Sequence, residues 1–164
     1  MYALVATVLA LAGAAVAAPT VQAREDSEFR LHATAPLTAW ALINAHVSAG
    51  TNVIQIQRPT AYVSDASYLN GTNLYFDLGT AIPYGVRMPL VPAGTVGQVV
   101  SQPGESTTGF GLDASKFLTY NSNSEGFWAC PEDNVFELFY GLNPEPANLP
   151  SSGCLEIQLL AGSV

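Results

Sequence analysis

Positive charge is the scarcest feature of this sequence. Five Lys and Arg residues stand against thirteen Asp and Glu, giving a formal net charge of −8, and the five (Arg24, Arg30, Arg58, Arg87, Lys116) are scattered along 164 residues. A nucleic-acid ligand needs a basic footprint to displace counterions, and an anionic bilayer needs a polybasic segment; the pattern excludes both. Histidine is limited to His32 and His46, with no His-Glu-x-x-His, no Cys-x-x-Cys and no ladder of aspartates beside them. No metal or other cofactor is therefore expected, and both histidines read as surface or capping residues. A Gly-x-Ser-x-Gly elbow is missing as well, so no serine is marked as a nucleophile. Cysteine occurs twice, at Cys130 and Cys154. Long apolar runs are missing after the first seventeen residues, and the C-terminal stretch Leu155–Val164 is interrupted by Glu156 and Gln158, so neither a membrane anchor nor a lipid-anchor signal is expected.

What is present is a composition 49% hydrophobic and 11% charged, enough apolar matter for one core in one domain. Residues 1–17, MYALVATVLALAGAAVA, form an apolar run ending in the small-x-small pattern Ala15-Val16-Ala17, which predicts a secretory signal cut after Ala17. A cut one residue later would set Pro19 directly after the scissile bond. Residues 18–28 are polar and aperiodic and read as a flexible N-terminal arm. Residues 29–164 read as a single all-β domain of about 10–12 short antiparallel strands, judged from apolar alternation interrupted by turn-formers.

The strands are expected near Phe29–Ala33, Ala39–Ala45, Asn52–Gln57, Ala61–Ser64, Asn73–Leu78, Tyr84–Leu90, Gly97–Ser101, Phe110–Leu112, Phe117–Tyr120, Gly126–Cys130, Val135–Tyr140 and Leu155–Leu160. Pro36–Val47 is the one stretch with a competing helical reading, through Leu37, Trp40, Ala41 and Leu42; it has no capping box and no closing glycine, so helix ranks second. Asn70-Gly71, Pro92-Ala93-Gly94 and Pro103-Gly104 supply turns. Two echoes, Asp65–Leu69 with Asp113–Leu118 and Gly50–Val53 with Gly71–Leu74, set a β-trefoil-like barrel beside a β-sandwich or jelly-roll as the arrangement within the all-β class.

Pro144–Gly153 is a Pro- and Ser-rich connection leading into Cys154. In an oxidising compartment the simplest pairing is a Cys130–Cys154 disulfide, with two free thiols as the disfavoured alternative. Asn70-Gly71-Thr72 is an N-glycosylation acceptor sequence placed on a tight turn. The candidate carboxylates for acid-base chemistry are Asp65, Asp77, Asp113, Glu132, Asp133 and Glu137; glycoside hydrolysis would require two of them facing each other across a cleft, and nothing in the sequence brings a pair together. Tyr62, Tyr68, Tyr75, Tyr84 and Tyr120 could form a sugar-stacking surface, although aromatic residues are equally what strands prefer. Gly109–Ala114 matches a dinucleotide fingerprint only formally, because strand-like Phe117–Tyr120 follows where a helix is needed.

With those residues placed, the chain resembles the fungal secreted proteins known as PhiA-type cell-wall or IgE-binding proteins. The resemblance rests on a signal followed by Ala18-Pro19, a Phe-containing strand at Phe29–Ala33, the run Phe127-Trp128-Ala129-Cys130-Pro131, and the late Cys154. It spans most of the mature chain, and the Ala-Cys-Pro block is its specific part. Members often carry a second cysteine pair in the first half, which this chain lacks. The resemblance implies a secreted or wall-associated structural protein without an established catalytic site, so no functional residue transfers from it. Taken together, the expectation is a non-catalytic wall or surface protein with wall polysaccharide or wall proteins as partners. A carbohydrate-binding module is the alternative, and a small secreted hydrolase comes third.

Overall fold

The computed structural model describes residues 27–58 and 64–164. Fourteen strands run through them: β1 (Phe29–Ala33), β2 (Ala41–Ser48), β3 (Thr51–Gln57), β4 (Ala66–Asn70), β5 (Asn73–Asp77), β6 (Tyr84–Arg87), β7 (Gly97–Gln98), β8 (Val100–Pro103), β9 (Phe110–Leu112), β10 (Leu118–Tyr120), β11 (Phe127–Glu132), β12 (Val135–Tyr140), β13 (Leu155–Ile157) and β14 (Leu159–Ser163). Among the described residues the helical content is one 3-10 turn, Pro146–Asn148. The all-β, single-domain reading holds.

Simple alternation builds the strands. In β1, Phe29, Leu31 and Ala33 are buried while Arg30 and His32 are not fully so, and in β5 Leu74 and Phe76 turn inward between more exposed neighbours, the period of two that a pleated strand imposes. The two hairpins β2–β3 and β4–β5 reverse at Gly50 (φ 73°) and Gly71 (φ 59°), backbone conformations that cost glycine nothing. The echo between Gly50–Val53 and Gly71–Leu74 is thus repeated turn chemistry. The other echo joins unlike places, since Asp65–Leu69 leads into β4 whereas Asp113–Leu118 is the turn of the separate β9–β10 ribbon.

Seven strands close into a barrel in the order β3-β2-β1-β4-β5-β6-β8, completed by pairing of β8 with β3, and every one of these pairings is antiparallel. An odd number of antiparallel steps around a ring cannot return a strand direction to itself, so one junction must be a corner instead of a ladder. That corner is β1–β2, which has a single residue pair, His32 with Ala41. The Ser64 hydroxyl seals it, lying 2.9 Å from both Leu31 O and Leu42 O and sharing its one proton between them. Asp65 N donates to Leu42 O, and the Arg30 guanidinium donates to Ser64 O.

The remaining strands extend this barrel. β14 pairs along all of β1, β12 joins β3 through Phe136–Ile56 and Glu137–Gln55, and β11 and β13 follow outward from β12. The core is one cluster drawn from barrel and extension strands alike, with Leu31, Leu42, Ile54, Leu74, Phe76, Val86, Phe110, Leu118, Phe127, Leu138 and Leu159. A void of about 10 Å³ remains at its centre, lined by apolar side chains alone, and an apolar void of that size stays dry. Among the described residues this core is packed around that small void.

Three expectations change in detail. Residues 61–63 of the strand expected at Ala61–Ser64 lie outside the described residues, and Ser64 itself is a junction residue; the strand of this region is β4, from Ala66. Gly97–Ser101 divides at Val99, whose N–H donates to Leu138 O, leaving β7 on β12 and β8 in the barrel. Leu155–Leu160 divides at Gln158, whose backbone bonds Thr34. Over Pro36–Val47 the strand reading that ranked above helix holds, as tight turns, Leu37 N to Thr34 O and Trp40 N to Leu37 O, run into β2.

Candidate functional site

Cys130 and Cys154 are disulfide-bonded across a sequence separation of 24. Cys130 sits in β11 opposite Glu137 and is 1% exposed, while Cys154 is half-buried; the bond fastens the end of the Pro-rich connection to β11. The Gln98 amide donates to the Glu137 carboxylate. Burial pushes Glu137 above the usual carboxylate range; the Gln98 and Gln55 side chains pull it back, and the charges of Glu132 and Asp133 push it up again. Those three are the one grouping that forms among the six carboxylates named from sequence.

The other three are spent on backbone. Asp65 Oδ2 accepts from Asn44 N (2.6 Å) and Asn44 Nδ2 (3.0 Å), Asp77 Oδ1 accepts from Gly79 N, and Asp113 Oδ1 accepts from Ser115 N and Phe117 N, the local turn bonding that short acidic side chains favour. Two glutamates that the sequence did not single out share a pocket of about 280 Å³ lined by Thr34, Ala35, Glu125, Glu156, Ile157 and Gln158. Glu156 Oε1 is 3.4 Å from Gly126 N. They meet because β13 pairs with β11, a partnership that local sequence does not carry.

The tyrosines do not gather into one platform. Tyr68 and Tyr75 stack on each other at 5.4 Å and 17°, Tyr120 packs between Phe110 and Tyr140, Tyr84 rests on the core, and Tyr62 lies outside the described residues. Trp40 has Phe136 at its edge and the Arg58 guanidinium 5.2 Å over its ring. His46 Nδ1 is 3.1 Å from Asn52 Oδ1. His32 stands at the barrel corner. Gly109–Ala114 continues through a turn into β10, a strand. Asn70, Gly71 and Thr72 are all exposed at the β4–β5 tip. A second concavity, an open cleft of about 650 Å³, runs between Pro89–Gly94 and Tyr140–Asn143; Leu90 and Leu142 are exposed along it. Among the described residues no three His, Cys, Asp or Glu side chains group to hold a metal, and no helix is long and apolar enough to cross a membrane.

The domain of unknown function DUF7907 matches residues 24–163, a span that takes in every strand from β1 to β14. The chain belongs to this family. No curated protein and no solved structure matches it. The DUF7907 domain here is thus the whole barrel with its disulfide-fastened extension.

Proposed function

We propose that the chain is a secreted structural protein of a fungal cell wall or cell surface, of the PhiA-like kind, without catalytic activity and held by wall polysaccharide or other wall proteins. The observation that carries this reading is the Cys130–Cys154 disulfide, because such bonds persist in oxidising, extracellular surroundings. The packed barrel interior supports it too, since recognition is left to the outer surface. Three backbone-bound carboxylates fit the same picture. The N-terminal signal and a glycan on Asn70 belong to this proposal.

The test is to express the full chain in a fungal host, fractionate medium, wall and cytosol, and apply purified protein to chitin, β-glucan, mannan and whole-wall extract. Recovery in medium or wall, oxidised, with retention on wall material, is the expected result. Cytosolic protein with two reactive thiols overturns the reading. A second reading, a carbohydrate-binding module, rests on the cleft between Pro89–Gly94 and Tyr140–Asn143; saturable binding of one soluble oligosaccharide, lost on Leu142→Asp, favours it. A hydrolase reading rests on the Glu125–Glu156 pocket, and wall-polysaccharide turnover abolished by Glu156→Gln would replace the structural one.

A further inference from the structure

The residue that turns the corner of the barrel is a histidine. His32 forms the lone β1–β2 pair with Ala41 and faces Leu160 on β14. Its ring lies against Gly162, where an added Cβ would come 3.4 Å from His32 Cδ2 and 3.6 Å from Nε2. Its Nδ1 is buried without a hydrogen-bond partner, and a buried nitrogen of this kind is tolerable only while it carries no proton needing an acceptor. The charge acting on the ring is Arg30, two residues back on the same strand, whose guanidinium is held at Ser64 O. Opposite it, β2 presents Ala41 and β14 presents Leu160 and Gly162, none of them ionisable. Lys116, beside β14 through its bond to Ala161 N, is cationic as well. Among the described residues the charges named beside the ring are thus cationic, and Nδ1 has no partner to take up a proton.

We propose that His32 is an acid-sensitive latch at the barrel corner: neutral, it lets β1 close against β2, and protonated, it loosens that junction while the β11–β12 ladder stays formed. Burial first, and then the Arg30 charge, hold its pKa below the ordinary histidine value of 6.5. The opened state therefore takes the proton first. Closure is fully stable above the ordinary value, weakens as pH falls through it, and stops weakening once pH passes the lowered value of the closed state. One proton can change the opening equilibrium by at most about tenfold per pH unit. The device sits where a barrel with seven antiparallel junctions has its shortest ladder, a single pair backed by the Ser64 hydroxyl and by the turn bonds Ala33 N to Trp40 O and Ala39 N to Ala33 O.

Hydrogen exchange of the full chain, corrected for intrinsic rate and compared at about pH 7.5 and about pH 5.5, tests it alongside a titration of the His32 ring by NMR. In the wild type, opening of β1 and the start of β2 should rise several-fold on acidification while β11 and β12 stay unchanged. The rise should vanish in His32→Gln, and the His32 ring should titrate below the ordinary histidine value of 6.5. A His32 ring that titrates at or above the ordinary value overturns the latch in the wild type alone, without reliance on any variant. Equal acid-induced opening in His32→Gln overturns it too.

Discussion

Removing the disulfide tests how much of the extension depends on its tether. In Cys130→Ala/Cys154→Ala a loop closed over a separation of 24 residues is released, and in the chain-entropy account that closure contributes about 3.5 kcal/mol. The value is large against a typical total of about 5–15 kcal/mol, and it corresponds to a melting temperature lower by about 7–14 °C for a domain of this size. The native contacts of β11 survive, because Phe127, Ala129 and Ile157 remain buried and the β11–β12 ladder keeps its six pairs. The double variant should therefore fold to the same far-ultraviolet spectrum and unfold at a lower urea midpoint. Wild type incubated with reductant should match it. A midpoint unchanged within error would refute the assignment of stability to the closed loop, and a midpoint lowered with a collapsed folded spectrum would show that the tether builds β13 instead of merely holding it.

Ser64→Ala leaves the Leu31 and Leu42 carbonyls of the barrel corner without their shared donor, and should destabilise the fold by about 1–3 kcal/mol in urea titration; an unchanged midpoint refutes the seal. Glu137 has its folded pKa raised, chiefly by burial, so the native state favours its protonated form and ionisation costs stability as pH rises above the usual carboxylate value. Glu137→Gln should consequently be more stable than wild type at neutral pH, with the difference shrinking toward pH 4, in thermal melts across that range; a gap that widens on acidification reverses the sign and refutes it. Protein secreted from a fungal host should lose mass on glycosidase treatment, and Asn70→Gln should abolish the shift; an unshifted wild type removes the glycan from the proposal.

Strands whose pattern is local were legible in the sequence. Phe29–Ala33 and Val135–Tyr140 appear where alternation put them, and Gly50 and Gly71 turn the chain as their backbone freedom allows. β4 was not legible, because its inward position opposite Phe76 is Ser67, which is fully buried. A small polar residue there leaves room for the large ring, and it erases the apolar alternation that would have announced a strand. The split of Gly97–Ser101 and of Leu155–Leu160 between different partners was hidden for a related reason. A run of alternating residues states that a strand forms without stating which edges receive its two halves, and both splits are fixed by residues far away in sequence, Leu138 and Thr34. The Glu125–Glu156 pocket inherits the same blindness from the β11–β13 pairing.

Odd closure explains why polar residues, which sequence reasoning treats as surface or catalytic, gather at one place in this apolar barrel. Where a ladder becomes a corner, backbone carbonyls that would have faced a neighbouring strand are left over, and in a buried setting each must find a donor. Leu31 O and Leu42 O find the Ser64 hydroxyl, and Leu42 O also finds Asp65 N. The Asp65 carboxylate, a candidate acid-base group on residue type alone, accepts from Asn44 N and Nδ2 on the adjoining strand, and the Asn44 side-chain carbonyl in turn accepts from fully buried Ser101 on β8. This chain of bonds runs from the corner toward the β3–β8 closure, and both bonds that Asp65 Oδ2 accepts go to Asn44. Asp65→Asn would keep the shape while removing the charge; if the network is structural, the variant should lose stability and leave any wall association unchanged.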